Sequence, residues 1–121
     1  METTNILKIA ANALNEKKAK ELSAIRVSDL TALSEYFLIA TATSSTHVRA
    51  LADEVEDKLA AAGLEPHHIE GRTTGWIVLD YISVIVHVFI GDQREFYGLD
   101  KMWSDGEQIE LDGLLDQKEG D

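Results

Sequence analysis

The sequence predicts a single compact α/β domain, a mixed β-sheet with flanking helices. Three observations lead there. The run Tyr36-Phe-Leu-Ile-Ala-Thr-Ala is apolar on both faces, as a central strand must be, and it runs directly into helix-capping residues and an amphipathic helix. Residues 76–80 and 83–90 are strand-like segments close enough to pair as a hairpin. The chain has 121 residues and is 45% hydrophobic, the size of one ordinary domain.

Taken in order, residues 4–20 read as a first helix, with Thr4 as cap, Ile6, Leu7, Ala10, Ala13 and Leu14 on one stripe, and lysines in the last turn. Residues 23–29 alternate like an edge or half-buried strand, and 36–42 form the central strand. Thr43-Ser-Ser-Thr46 offers N-caps for a second helix carrying Val48, Leu51, Ala52, Val55, Leu59 and Ala62 at helical spacing, and Gly63 stops it. A strand at about 66–70 would complete a βαβ-type unit. After the hairpin, Gly91-Asp-Gln-Arg turns the chain into a short helix through Phe96, Tyr97, Leu99, Met102 and Trp103, whose spacing suits packing. Residues 1–104 are expected to form the domain. Residues 105–121, with seven acids and one lysine, are expected to be a flexible acidic tail in which Ile109, Leu111, Leu114 and Leu115 dock weakly at most.

The formal net charge of −11 is unevenly spread. Residues 1–26 carry Lys8, Lys17, Lys18, Lys20 and Arg26 against Glu2, Glu16 and Glu21, a net of +2, so the remainder carries −13. Such a body is repelled by bare nucleic acid and by anionic lipid but attracted to a basic protein. Solubility alone is the plainer use of the same charge. With no cysteines, disulfides and thiolate metal sites are excluded. The first residues show no basic region followed by an apolar stretch, and no apolar run is long enough to span a bilayer, so a cytoplasmic location, or an equivalent organelle interior, is expected.

The hairpin is the most informative segment. With Tyr81 and Ile82 as a two-residue turn, 76–80 would pair with 83–87, and Trp76 would lie directly opposite His87. Alternation then places Ile77, Leu79, Val84, Val86 and Val88 on one wholly aliphatic face. Trp76, Val78, Asp80, Ser83, Ile85, His87 and Phe89 share the other. A closed core would have to satisfy the polar groups of that second face one by one. A covering helix could do so, and so could a partner protein, since interface centres favour aromatics.

Other constellations are weaker. Thr43–Thr46 opens a helix after a strand, where free amides could hold a phosphate, but it lacks the glycines that let a backbone wrap a nucleotide, so capping is favoured. His47, His67 and His68 show no partner at metal-ligand spacing, and neither a metal nor a cofactor is expected. Asp80 lies near a strand end, where α/β enzymes place carboxylates. Metal-dependent phosphoryl or nucleotidyl transfer needs two or three converging acids, whereas residue 78 is Val and only Asp29 or Glu35 could join from a distance. Ser83 and His87 sit four residues apart on one strand, about 13 Å, too far for a nucleophile and its base.

The segments Asp29-Leu, Tyr36-Phe-Leu-Ile-Ala-Thr-Ala-Thr-Ser-Ser-Thr-His-Val-Arg-Ala-Leu-Ala-Asp-Glu-Val, Glu70-Gly71, Gly75-Trp-Ile-Val-Leu-Asp-Tyr, Val86-His-Val-Phe, Arg94-Glu-Phe-Tyr and Leu99-Asp-Lys-Met-Trp103 together resemble the ribosomal silencing factor, or Iojap-like, family. The likeness spans about residues 4–105. It implies a fold related to nucleotidyltransferases, without known transferase chemistry. It also implies a non-enzymatic repressor of translation that binds a large-subunit ribosomal protein, the fourteenth of its series, and sterically blocks joining of the small subunit when nutrients are scarce. Carried over by position, it places Trp76, Asp80, Tyr81 and His87 in or near the contact surface, with Glu70 and Lys101 as further candidates. It implies homodimers as well. The sequence departs from the family at Ile82-Ser83, where Gly-Asp is usual in the hairpin turn, and at Gly98, which interrupts the last helix. The alternative is a nucleotidyl- or phosphoryl-transfer enzyme built on Asp80.

Overall fold

The computed structural model describes residues 1–71 and 75–115, without the side chains of Phe96 and Tyr97. Its elements follow the chain as α1 (Thr3–Glu16), β1 (Lys20–Arg26), β2 (Tyr36–Ala42), α2 (Ser45–Ala61), β3 (His68–Glu70), β4 (Trp76–Asp80), β5 (Val84–Ile90), α3 (Asp92–Tyr97), α4 (Leu99–Met102) and β6 (Glu107–Ile109). The six strands make one sheet in the order β3-β4-β5-β2-β1-β6. Among the described strands only β2 and β5 run parallel; the other neighbours are antiparallel, so the sheet is mixed as expected.

The βαβ expectation is corrected in one respect. β3 is an edge strand paired to β4, and the parallel partner of β2 is β5, two strands after β3. The physical reason is apolar content: β5 is buried along most of its length and belongs at the sheet centre, whereas β3 is three residues long with exposed His68 and Glu70.

One face of the sheet is covered by α1 and α2. Leu7, Ala10 and Leu14 of α1, and Leu51, Val55 and Leu59 of α2, pack on Leu38, Ala40, Ile77, Leu79, Val84, Val86 and Val88. Each fully buried Leu, Ile or Val contributes on the order of 1.5–3 kcal/mol from lost apolar hydration. The aliphatic side of the hairpin lies here, as alternation requires.

Local chemistry sets the helix starts. Ser44 Oγ accepts the amide N–H of His47 at 3.1 Å, so the Thr43–Thr46 cluster does cap α2. His47 adds a clip: Thr43 N–H donates to its Nδ1 at 2.9 Å, and its Nε2 lies 2.7 Å from the carbonyl of Lys17, just past α1. Gly98, at φ +63°, divides the last helix into α3 and α4.

The described part of the acidic C-terminal segment carries a strand that composition did not suggest. Residues 107–109 extend the sheet by pairing with Ala24, Ile25 and Arg26 of β1, and Leu111, Leu114 and Leu115 pack against the α1–α2 core. Gly106 permits this, since a Cβ there would meet Ile25 Cγ2 at 2.5 Å and the Arg26 carbonyl at 2.8 Å. Residues 116–121 lie outside the described part.

Candidate docking face

The hairpin turn sits one residue later than the sequence suggested. Tyr81 N–H donates to the Val84 carbonyl at 2.9 Å, so Ile82 and Ser83 are the turn residues and Trp76 faces Phe89, not His87. The register moves by two, an even number, and every side chain keeps its predicted face. Ile82 takes φ +70°, a conformation that a β-branched residue adopts only under strain. It does so with its side chain in solvent and its amide donating to Asp80 Oδ1 at 2.7 Å.

Pairing then arranges the second sheet face in rows. Trp76, Phe89 and Thr41 form one row; Val78, His87 and Ile39 the next; His68, Asp80, Ile85 and Phe37 the third. On the β1–β2 side this face is closed. Ile25, Val27, Phe37, Ile39 and Phe89 are buried with Leu99, and Trp103 meets Phe37 edge-on at 5.0 Å. On the β3–β4 side it is not: Trp76, Val78, Asp80 and Ile85 are half-buried, and His68 and Glu70 are exposed.

Trp76 lies at the border of these halves. Its ring stacks on Phe89 at 4.9 Å, and its Nε1–H donates to His87 Nδ1 at 3.2 Å, a diagonal cross-strand contact. His87 is 6% exposed and meets Phe37 edge-on at 5.0 Å. Desolvation lowers its pKa to about 4, so the ring is neutral near pH 7. Because Nδ1 accepts the indole proton, Nε2 carries the ring proton, and among the described residues it has no acceptor.

The α3–α4 cover is fastened by Arg94, whose role the sequence did not reveal. Its Nε and Nη2 donate to the two carboxylate oxygens of Asp100, each at 2.8 Å, and its Nη1 donates to Thr41 Oγ1 at 3.1 Å and to the Glu21 carbonyl. Glu21 has φ +47° at a β1 irregularity, which presents that carbonyl to Arg94. The Arg94 hydrogen bond holds the Asp100 pKa below the ordinary carboxylate range. The spacing of Arg94 and Asp100 was visible in the sequence, but nothing local marked Thr41 and Glu21 as their destination.

The predicted contact residues therefore separate. Trp76 and Asp80 lie half-buried on the open side, Glu70 is exposed beside them, and His87 lies beneath Trp76. Tyr81 is corrected: it is 5% exposed and joins the α1–α2 core, because the later turn makes it the last paired residue before the chain reverses. Lys101 is exposed on α4, where it lines a cleft with Glu21, Thr41, Arg94 and Asp100. Trp103 packs as expected; the side chains of Phe96 and Tyr97 lie outside the described part.

The histidines are not as isolated as their spacing implied. His67 N–H donates to the Asp80 carbonyl at 2.7 Å, and His68 pairs with Asp80 across β3 and β4. One ligand atom from each of His67, His68 and Asp80 falls within 4.8 Å of the others. Asp29 and Glu35 form no such group among the described residues.

The whole chain, residues 1–121, matches the family model described as ribosomal silencing factor during starvation. It is 35% identical over 118 residues to the ribosomal silencing factor of Bacillus subtilis, covering 97% of this chain and all of that protein. A crystal structure of a Chromobacterium violaceum protein superposes with a TM-score of 0.84 at 33% identity, covering 91% of this chain and 92% of the other. A more distant relative, the mouse protein named mitochondrial assembly of ribosomal large subunit protein 1, is 27% identical over 95 residues, which cover 75% of this chain and 42% of that protein.

Proposed function

From the premise that this chain belongs to the ribosomal silencing factor family, we propose that it binds the large ribosomal subunit through the open β3–β4 side of its sheet, prevents the small subunit from joining and so represses translation. The observation that carries this reading is the division of a single sheet face. Its β1–β2 half is sealed by Leu99 and Trp103, while the adjoining half leaves an indole, two aliphatic side chains and a carboxylate partly in water. A half-exposed aromatic bordered by polar groups is the composition of an interface centre and its rim.

Charge supports the nature of the partner. A body of net charge −11 is drawn to a basic protein and repelled by exposed rRNA phosphates, which favours a basic large-subunit protein, the fourteenth, as the docking site. The name of the mouse relative points to the same subunit. The protein acts by occupancy and not by catalysis, and it works in the cytoplasm with the ribosomes. Asp80 suits a non-catalytic reading, because its Oδ1 accepts the Ile82 amide and, among the described residues, no second carboxylate joins it and the two histidines in one cluster. Self-association as a homodimer would use the same face, in competition with the ribosome.

The test mixes purified large and small subunits with the protein and resolves them on a sucrose gradient. The expected result is co-sedimentation with the large subunit and fewer joined ribosomes. Unchanged joining at saturating protein overturns the proposal. Calorimetry with ATP and magnesium addresses the alternative, since nucleotide binding lost in Asp80→Ala would favour a transferase.

A further inference from the structure

We propose that His67, His68 and Asp80 form a binding site for a divalent first-row transition cation, zinc above all, which ties the edge strand β3 to β4 at the outer edge of the proposed docking face. The geometry is that of a partly assembled tetrahedral site. His67 Nδ1 and His68 Nδ1 lie 3.4 Å apart. Zinc–nitrogen bonds of about 2.0–2.1 Å at tetrahedral angles place two donors about 3.4 Å apart. Asp80 Oδ2 lies 3.9 Å from His68 Nδ1, so a small side-chain rotation brings a third donor to the same centre.

The surrounding contacts are those that orient metal ligands. Asp80 Oδ1 is held by the Ile82 amide, which leaves Oδ2 for a cation. His68 Nε2, the ring nitrogen facing away from the proposed centre, lies 3.3 Å from Glu70 Oε1. A carboxylate behind a ligating histidine fixes its tautomer and raises its basicity. The backbone contributes rigidity, because His68 pairs directly with Asp80 and His67 N–H donates to the Asp80 carbonyl at 2.7 Å.

Two imidazoles and one carboxylate, with no thiolate in the chain, suit zinc, copper(II) or nickel and not the all-oxygen preference of magnesium or calcium. Three protein donors leave a fourth position for water or for a side chain of a docked partner. The sequence concealed this arrangement because Asp80 is twelve residues beyond His68 and meets it only through strand pairing.

The experiment is calorimetric titration of the untagged, metal-free protein with zinc chloride, repeated on His67→Ala, His68→Ala, Asp80→Asn and Glu70→Ala. Both histidines are exposed, so circular dichroism is expected to show each histidine variant folded. One zinc per chain is expected, with affinity at least about tenfold weaker in each ligand variant, and weaker by about 10- to 100-fold when Glu70 is removed. Magnesium is expected to give no saturable binding at these residues. The proposal is overturned if zinc shows no saturable binding up to millimolar concentration, or if its affinity is unchanged in the two histidine variants.

Discussion

Trp76 donates its indole N–H to His87 Nδ1 at 3.2 Å, so the residue at the border of the open half of the sheet face is held by a buried imidazole that must stay neutral to accept it. This gives stability a pH dependence with a definite sign. Burial lowers the His87 pKa from 6.5 to about 4, so below pH 6.5 the unfolded chain binds a proton that the folded chain refuses. The His87 contribution is complete above pH 6.5 and is lost as pH falls towards 4, up to about 3 kcal/mol. Asp100, whose pKa is lowered chiefly by the Arg94 hydrogen bond, adds a loss only at more acidic pH, within and below the ordinary carboxylate range. Urea unfolding from pH 7 to pH 4.5 is expected to show falling stability in the parent protein and a much flatter profile in His87→Phe. Equal slopes would contradict the account.

Ile82 occupies the left-handed region at φ +70° and is 62% exposed, so its burial compensates little of its strain. Ile82→Gly is expected to stabilise the fold by about 1 kcal/mol, read as a higher urea midpoint at unchanged slope. A lower midpoint would show that the turn is not strained as described.

Arg94 joins α3 and α4 to the sheet through Asp100, Thr41 and Glu21. Arg94→Met keeps much of the side-chain volume but leaves the Asp100 carboxylate without its bidentate partner. The expected cost is about 2 kcal/mol in urea unfolding, with faster amide exchange in residues 99–103 as the cover loosens. Unchanged exchange there would remove Arg94 as the fastener.

Periodicity made much of this architecture legible. The β2 run, the Ser44 cap and the stripe of α2 were visible because each follows from contacts within a few residues. The hairpin faces survived a misplaced turn because the error in register was even. What stayed hidden depended on distant partners. β6 was masked by its acidic composition and became a strand only because Gly106 lets the chain pass against Ile25. Tyr81 looked like a surface aromatic until the turn began one residue later, and the histidine pair acquired Asp80 only when β3 met β4. For the candidate site, alternation located the mixed face, but the border at Trp76 follows from where Leu99 and Trp103 pack.

The central claim is that the half-open side of the sheet docks on the large subunit. Trp76 itself is a poor probe, because truncating it also exposes Phe89 and removes the donor to His87. Val78 is better placed: it is half-buried on β4, between Glu70 on β3 and His87 on β5, and a lysine there can extend into water while opposing a basic partner. The most direct measurement is the affinity of folded Val78→Lys for purified large subunits, set beside the parent protein at one ionic strength. The account predicts weakening of about 1–3 kcal/mol, roughly ten- to a hundredfold, with a matching loss of subunit-joining inhibition. Parental affinity and parental inhibition in the folded variant would contradict it.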